Sequence, residues 1–224
     1  LITFNGGFMD IKALIFDLDG TLLNTLEDLT DSMNYALSSF GYEEISIQQA
    51  RSYVGNGAER YLELSLINGR ENPDFQKCLD TFKTHYQANM ENKTKPYDGI
   101  LDLLNKVKVK GYQTAIVSNK FDDAVKQISP KYFNSYIDVA IGESEKIKKK
   151  PAPDSVYLAL EKLGCDKSQA LYIGDSDVDA KTASNSGLKF IGVSWGFRDK
   201  SILYELGAQT VIDHPSQLIK ILEK

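Results

Sequence analysis

The chain has 224 residues, 42% hydrophobic and 25% charged, an ordinary globular composition with room for one large domain or for a domain carrying an insert. Its 26 basic residues against 31 acidic ones give a formal charge of −5, so there is no global basic surface for nucleic acid or an anionic membrane, and an anionic ligand has to be caught locally. Cys78 and Cys165 suit neither a disulfide framework nor a thiolate metal site and are expected as buried free thiols; with no apolar run of roughly 18 residues and no signal peptide, a soluble cytoplasmic protein is expected.

Leu1 to Phe8 are set aside as an expression or processing remnant, because Met9 stands directly before the first strand-like run. Short apolar runs, each closed by a polar residue or glycine, predict buried parallel strands at Ala13 to Phe16, Thr114 to Val117, Val139 to Ile141, Leu171 to Ile173, Phe190 to Val193 and Thr210 to Ile212. Helical periodicity lies between most of them, as in Ile100, Leu103, Leu104 and Val107, and in Val156 to Leu163 with Gly164 as stop signal. Alternating strand and helix predicts an α/β fold, a doubly wound, Rossmann-like parallel sheet. Nearly a hundred residues part the first two strands, far more than a crossover uses. Within that stretch the apolar spacing is helical, from Leu29, Met33, Ala36, Leu37 and Phe40 to Tyr61, Leu62 and Leu66. An all-α cap over residues 25–95 is therefore expected to interrupt a core made of 9–24 and 96–224, with Pro96 and Gly99 marking the return.

Four motifs stand at predicted strand ends. Asp17-Leu18-Asp19-Gly20-Thr21-Leu22 follows the first strand, where two carboxylates two residues apart face one crevice; the plainer alternative is a polar loop capping the next helix. Gly174-Asp175-Ser176-Asp177-Val178-Asp179 follows another strand, and a helix starting near Ser176 sets Asp175 and Asp179 along one side. Carboxylates gathered about 4 Å apart repel by about 4 kcal/mol at an effective dielectric near 20, so such a cluster calls for a cation. All-oxygen donors with no histidine or cysteine motif nearby favour Mg²⁺. Ser118-Asn119-Lys120 closes the second strand, where a hydroxyl and the following N–H groups suit phosphoryl oxygens and an ordinary helix N-cap serine is the alternative. In Lys146 to Asp154, Lys150 is singled out from a lysine run because Pro151 and Pro153 fix its direction. No GxxxxGK[ST] loop is present, and Gly55-Asn56-Gly57 lacks the context of a dinucleotide fingerprint.

With these motifs in order from Met9 to Lys224, the chain resembles the haloacid dehalogenase superfamily, specifically its phosphatases with a helical cap inserted after the first motif. The resemblance implies Asp17 as nucleophile, forming an aspartyl phosphate, and Asp19 as acid and then base. It implies Mg²⁺ on the Asp17 carboxylate, the Asp19 backbone carbonyl and Asp175, with Asp179 in support. It sets Ser118 and Lys150, joined by Thr21 and Asn119, on the transferring phosphate. Asp19 argues against the dehalogenases, and Glu27-Asp28-Leu29 stands where the β-phosphoglucomutases carry a histidine, so hydrolysis is preferred over isomerisation.

The substrate expected is a small phosphate ester, with the oligomeric state left open. Tyr53 to Leu62 resembles the substrate loop of bacterial phosphoglycolate phosphatases, which implicates Gly55, Asn56, Gly57 and Arg60. A helix start with Asn56 as its cap, and Arg60 paired on the surface with Glu59 or Glu63, is an equal reading. Residues 25–95 hold seven basic side chains against eleven acidic ones, so selectivity rests on a few groups. Pyrophosphate, nucleoside monophosphates and sugar phosphates stay open, as do a phosphosugar mutase and a non-catalytic phosphate-binding module.

Overall fold

The computed structural model describes residues 10–223; the expectation for Leu1 to Phe8 lies outside them. In chain order the elements are β1 (Ala13–Phe16), β2 (Leu23–Asn24), α1 (Leu26–Ser39), α2 (Ile47–Tyr53), α3 (Ala58–Ser65), α4 (Phe75–Asn89), β3 (Lys95–Pro96), α5 (Ile100–Val109), β4 (Gln113–Phe121), α6 (Asp122–Phe133) and β5 (Val139–Glu143). Then follow α7 (Asp154–Leu163), β6 (Ala170–Gly174), α8 (Asp177–Ser186), β7 (Lys189–Val193), α9 (Lys200–Glu205), β8 (Thr210–Ile212) and α10 (Ser216–Leu222).

The six main strands form one parallel sheet in the order β5-β4-β1-β6-β7-β8. β1 is fully buried because it has neighbours on both edges and helices on both faces, which is why its sequence is an unbroken apolar run. Its side chains alternate: Leu14 and Phe16 enter a core with α5, α6 and α10, while Ala13 and Ile15 enter a second core with α7, α8 and α9. The chain winds from β1 to β4 and β5 on one side, then returns to place β6 on the other. That reversal opens a crevice at the carboxyl ends of β1, β4 and β6.

Helices α1 to α4 carry a core of their own, built on Leu29, Met33, Leu37, Leu62, Phe82 and Tyr86. Two short antiparallel strands, β2 and β3, are the stems of this helical insert. Asp28 closes its base: the buried carboxylate accepts the N–H groups of Lys93, at 3.0 Å, and Thr94, at 2.8 Å. Across the gap, Ala124 of α6 and Phe197 of the loop after β7 pack into the insert core. Of the two cysteines, Cys78 is buried and Cys165 only half-buried, and both are free. Among the described residues no helix is long and apolar enough to cross a membrane.

Candidate active site

The site is built where strands of the sheet end. Asp17 directly follows β1, and its N–H continues the ladder to Ile173 O at 2.9 Å. Asp175 directly follows β6, and Ser118 lies within β4, so the sheet order alone brings the three together. Asp179 is held by the start of α8, where Ser176 is the N-cap: the Ser176 hydroxyl accepts from Asp179 N, and the Asp179 carboxylate accepts from Ser176 N at 3.0 Å.

Lys150 stands between these acids. Its Nζ lies 2.9 Å from Asp17 Oδ1 and 2.8 Å from Asp179 Oδ1, and donates to the Tyr172 hydroxyl at 3.1 Å. The Lys150 backbone is fixed by Asn119, whose Oδ1 accepts Lys150 N at 2.8 Å and whose Nδ2 donates to Lys150 O at 3.0 Å. Burial pulls the Lys150 ammonium down, but the two carboxylates outweigh it and hold its pKa well above the usual lysine value.

One ammonium cannot balance three buried carboxylates. Burial, followed by repulsion from Asp179, pushes Asp17 well above the usual carboxylate range, despite the opposing pull of Lys150. Burial and the same repulsion raise Asp175 to about 7. Asp17, Asp175 and Asp179 each offer one oxygen, all within 4.8 Å of one another. Asp179 is already engaged, by Lys150 and Tyr172 on Oδ1 and by the Ser176 N–H and hydroxyl on Oδ2. Asp17 takes Lys150 and Leu18 N on Oδ1, and its Oδ2 accepts no hydrogen bond from the described residues. Asp175 takes the Thr21 hydroxyl at 3.0 Å on Oδ1 and Phe197 N at 2.7 Å on Oδ2. Excess negative charge, hard oxygen donors and an unengaged oxygen on Asp17 fit a divalent cation of the Mg²⁺ kind on Asp17 and Asp175. Gly196 matters here, since a Cβ at that position would overlap the Asp175 side chain.

A cavity of about 50 Å³ opens beside this centre, between the sheet edge and the insert. Asp17, Asp19, Ser118 and Asn119 line it from the core, and Gly55 and Gly57 from the insert. Ser118 Oγ accepts Lys120 N at 3.2 Å, which leaves its hydrogen to donate. Ser118 is not a helix cap, because β4 runs on to Phe121 and α6 is capped there.

Several expected contacts fall elsewhere. The Thr21 hydroxyl is spent on Asp175 rather than aimed outward, because the positive φ of Gly20 (+89°) turns the loop back under Asp175. Asn119 gives its side chain to Lys150 and to Gly55 O, at 3.2 Å, so it ties the insert loop to the site instead of offering its amide to a phosphate. Helix α3 is capped by Gly57, with φ +83°, not by Asn56. Arg60 lies on Glu63 at 3.0 Å with its side chain 47% exposed, as the surface-pair reading had it, and neither Arg60 nor Asn56 is among the residues lining the cavity.

Two residues with a place at the site were not singled out from the sequence. Lys120, nearly fully buried, puts its Nζ 3.1 Å from Asp19 Oδ1, against the hydroxyl of Tyr86 and 4.4 Å from the centre of its ring. Its signal was its place two residues beyond Ser118, at the carboxyl end of β4. Arg198 gives Nη1 to Arg51 O at 2.8 Å and Nη2 to Val54 O at 2.9 Å, holding the end of α2. Nothing local in the sequence marks that contact.

The family model for haloacid dehalogenase-like hydrolases matches residues 14–193. A phosphoglycolate phosphatase of Aquifex aeolicus is 30% identical over 217 residues, 95% of this chain and 97% of its own length. The N-acetylmuramic acid 6-phosphate phosphatase of Pseudomonas aeruginosa is 28% identical, over 96% of each chain. A solved structure from Lactobacillus delbrueckii subsp. bulgaricus, provisionally assigned as a phosphoglycolate phosphatase, superimposes with a TM-score of 0.91 at 32% identity, over 96% of this chain and 99% of its own. The chain belongs to the haloacid dehalogenase-like hydrolases. Its chemistry is that of a phosphoric monoester hydrolase.

Proposed function

We propose that this protein is a Mg²⁺-dependent phosphatase that works through an aspartyl phosphate on Asp17, with phosphoglycolate as its substrate and the helices of residues 25–95 serving as a cap over a core of 9–24 and 96–224. The observation that carries this reading is the buried Asp17 carboxylate, paired with Lys150 at 2.9 Å, lining a small cavity, with one oxygen unengaged by the described residues.

In the first step an Asp17 oxygen attacks phosphorus, the bond to the ester oxygen breaks, and Asp19 gives that oxygen a proton. In the second, water attacks phosphorus, its proton passes to Asp19, and the bond to Asp17 breaks to release inorganic phosphate. Lys150 and the Ser118 hydroxyl hold phosphoryl oxygens throughout, and the bond network of Asp179, Tyr172 and Asn119 keeps Lys150 in place. Asp17, Asp175 and the Asp19 carbonyl would hold Mg²⁺, which would supply positive charge against the carboxylates and the phosphoryl group. Phosphoglycolate is supported by the phosphoglycolate phosphatases among the relatives.

The test is phosphate release from a series of esters, including an aryl phosphate and phosphoglycolate, with Mg²⁺ and with EDTA. Acid quenching during turnover should leave the peptide containing Asp17 heavier by one phosphoryl group. Absence of Mg²⁺-dependent turnover from folded protein, or full activity in Asp17→Asn, overturns the reading.

A further inference from the structure

Lys120 is the one basic side chain among the described residues that line the cavity. The insert contributes only uncharged groups to it, such as Val54, Gly57, Tyr61, Phe82 and Tyr86. Any second negative charge on a substrate, beyond the phosphoryl group, therefore meets no other cationic side chain of the lining than Lys120. An ammonium has three hydrogens. Among the described residues the hydrogen-bond partners of Lys120 Nζ are two groups for its three hydrogens, the Asp19 carboxylate and the Tyr86 hydroxyl, and Lys120 itself lines the cavity. The side chain is 2% exposed, so this donor sits where an ionic contact is little weakened by water.

We propose that Lys120 reads the leaving group: its ammonium takes a carboxylate carried on the same carbon as the ester oxygen, which selects 2-phosphorylated carboxylic acids over neutral phosphate esters. The inference rests on the role given above to Asp19. When Asp19 is on the ester oxygen, Lys120 Nζ, 3.1 Å from that carboxyl group, is within reach of a charge attached one carbon away. A neutral alkyl chain leaves the donor open, while a phosphoglycolate carboxylate fills it. Tyr86, on α4, fixes the direction of the ammonium from the insert side, so the lysine of the core reads the substrate only with the insert seated. This places selectivity on the core strand β4 rather than on the Gly55 to Arg60 loop.

The experiment compares phosphoglycolate with 2-hydroxyethyl phosphate, which keeps the chain and replaces the carboxylate by a neutral group, both with saturating Mg²⁺. Wild-type protein is expected to favour phosphoglycolate in kcat/KM by about 10- to 100-fold, the range of one hydrogen bond to a charged group. Lys120→Met lowers turnover of both esters through its contact with Asp19, but it should bring their ratio to within about threefold, chiefly by raising KM for phosphoglycolate. Tyr86→Phe, which keeps the ring in the core, should narrow the ratio partway. Equal use of the two esters by wild-type protein overturns the proposal whether or not Lys120→Met folds, as does a ratio unchanged in either variant. Failure to hydrolyse these esters and an aryl phosphate alike instead overturns the phosphatase reading on which the proposal stands.

Discussion

Asp175→Asn tests the claim that the carboxylate cluster is strained without a cation. A carboxyl that titrates near 7 when folded and near 3.8 when unfolded keeps a proton in the folded state that the unfolded chain has lost. Stability therefore falls as pH rises through that window and levels off above it. For Asp175 the penalty is 1 to 2 kcal/mol near pH 5 and about 4 kcal/mol near pH 8. Asparagine removes the charge but keeps the shape. Its carbonyl can turn to Phe197 N and its amide to the Thr21 hydroxyl, which accepts as well as donates, so the lost hydrogen-bond strength costs about 1 kcal/mol. In EDTA the variant should match wild-type protein near pH 5 and exceed it by about 3 kcal/mol near pH 8, read from urea unfolding at both pH values. Mg²⁺ should stabilise wild-type protein near pH 8, where Asp175 has lost its proton, and leave the variant almost unmoved. A variant less stable than wild-type near pH 8, or a difference independent of pH, would show that the buried charge is not under strain and that the argument for a cation is wrong.

Lys150→Met removes the ammonium shared by Asp17 and Asp179 and should cost about 3 to 5 kcal/mol near neutral pH, measured by urea midpoint, with phosphate release lost as well. Arg198→Ala frees the carbonyls of Arg51 and Val54 at the end of α2. Hydrogen exchange should speed up in α2 and α3 with no change in β1, β4 and β6, and KM should rise more than kcat falls, since two charge-assisted hydrogen bonds of about 1.5 to 3 kcal/mol each are lost. Gly196→Ala should displace Asp175 and raise the Mg²⁺ concentration needed for half-maximal activity, with the fold intact by circular dichroism.

The sequence carried most of the sheet because β1, β6 and β7 are buried on both faces and so read as short apolar runs with little to confuse them. Asp17, Asp19 and Asp175 were legible for a related reason: in a parallel sheet the polar residues that end such runs gather on one rim. The pairings of the site were less legible. That Thr21 serves Asp175 depends on the backbone turn at Gly20, and that Asn119 serves Lys150 and Gly55 depends on how three separate segments meet. Arg60 has Glu63 one turn on along the same helix, an i,i+3 pairing that competes with any role in the cavity and that tertiary placement decided. Lys120 is the sharpest case. In sequence it is one lysine after a serine and an asparagine; only the fold puts Asp19, from the loop after β1, and Tyr86, from α4, on its two sides. The sequence by itself determined which residues stand at the strand ends and what chemistry they can do. The tertiary structure decided which of them are left unpaired, because hydrogen bonding between distant segments consumes some donors and exposes others.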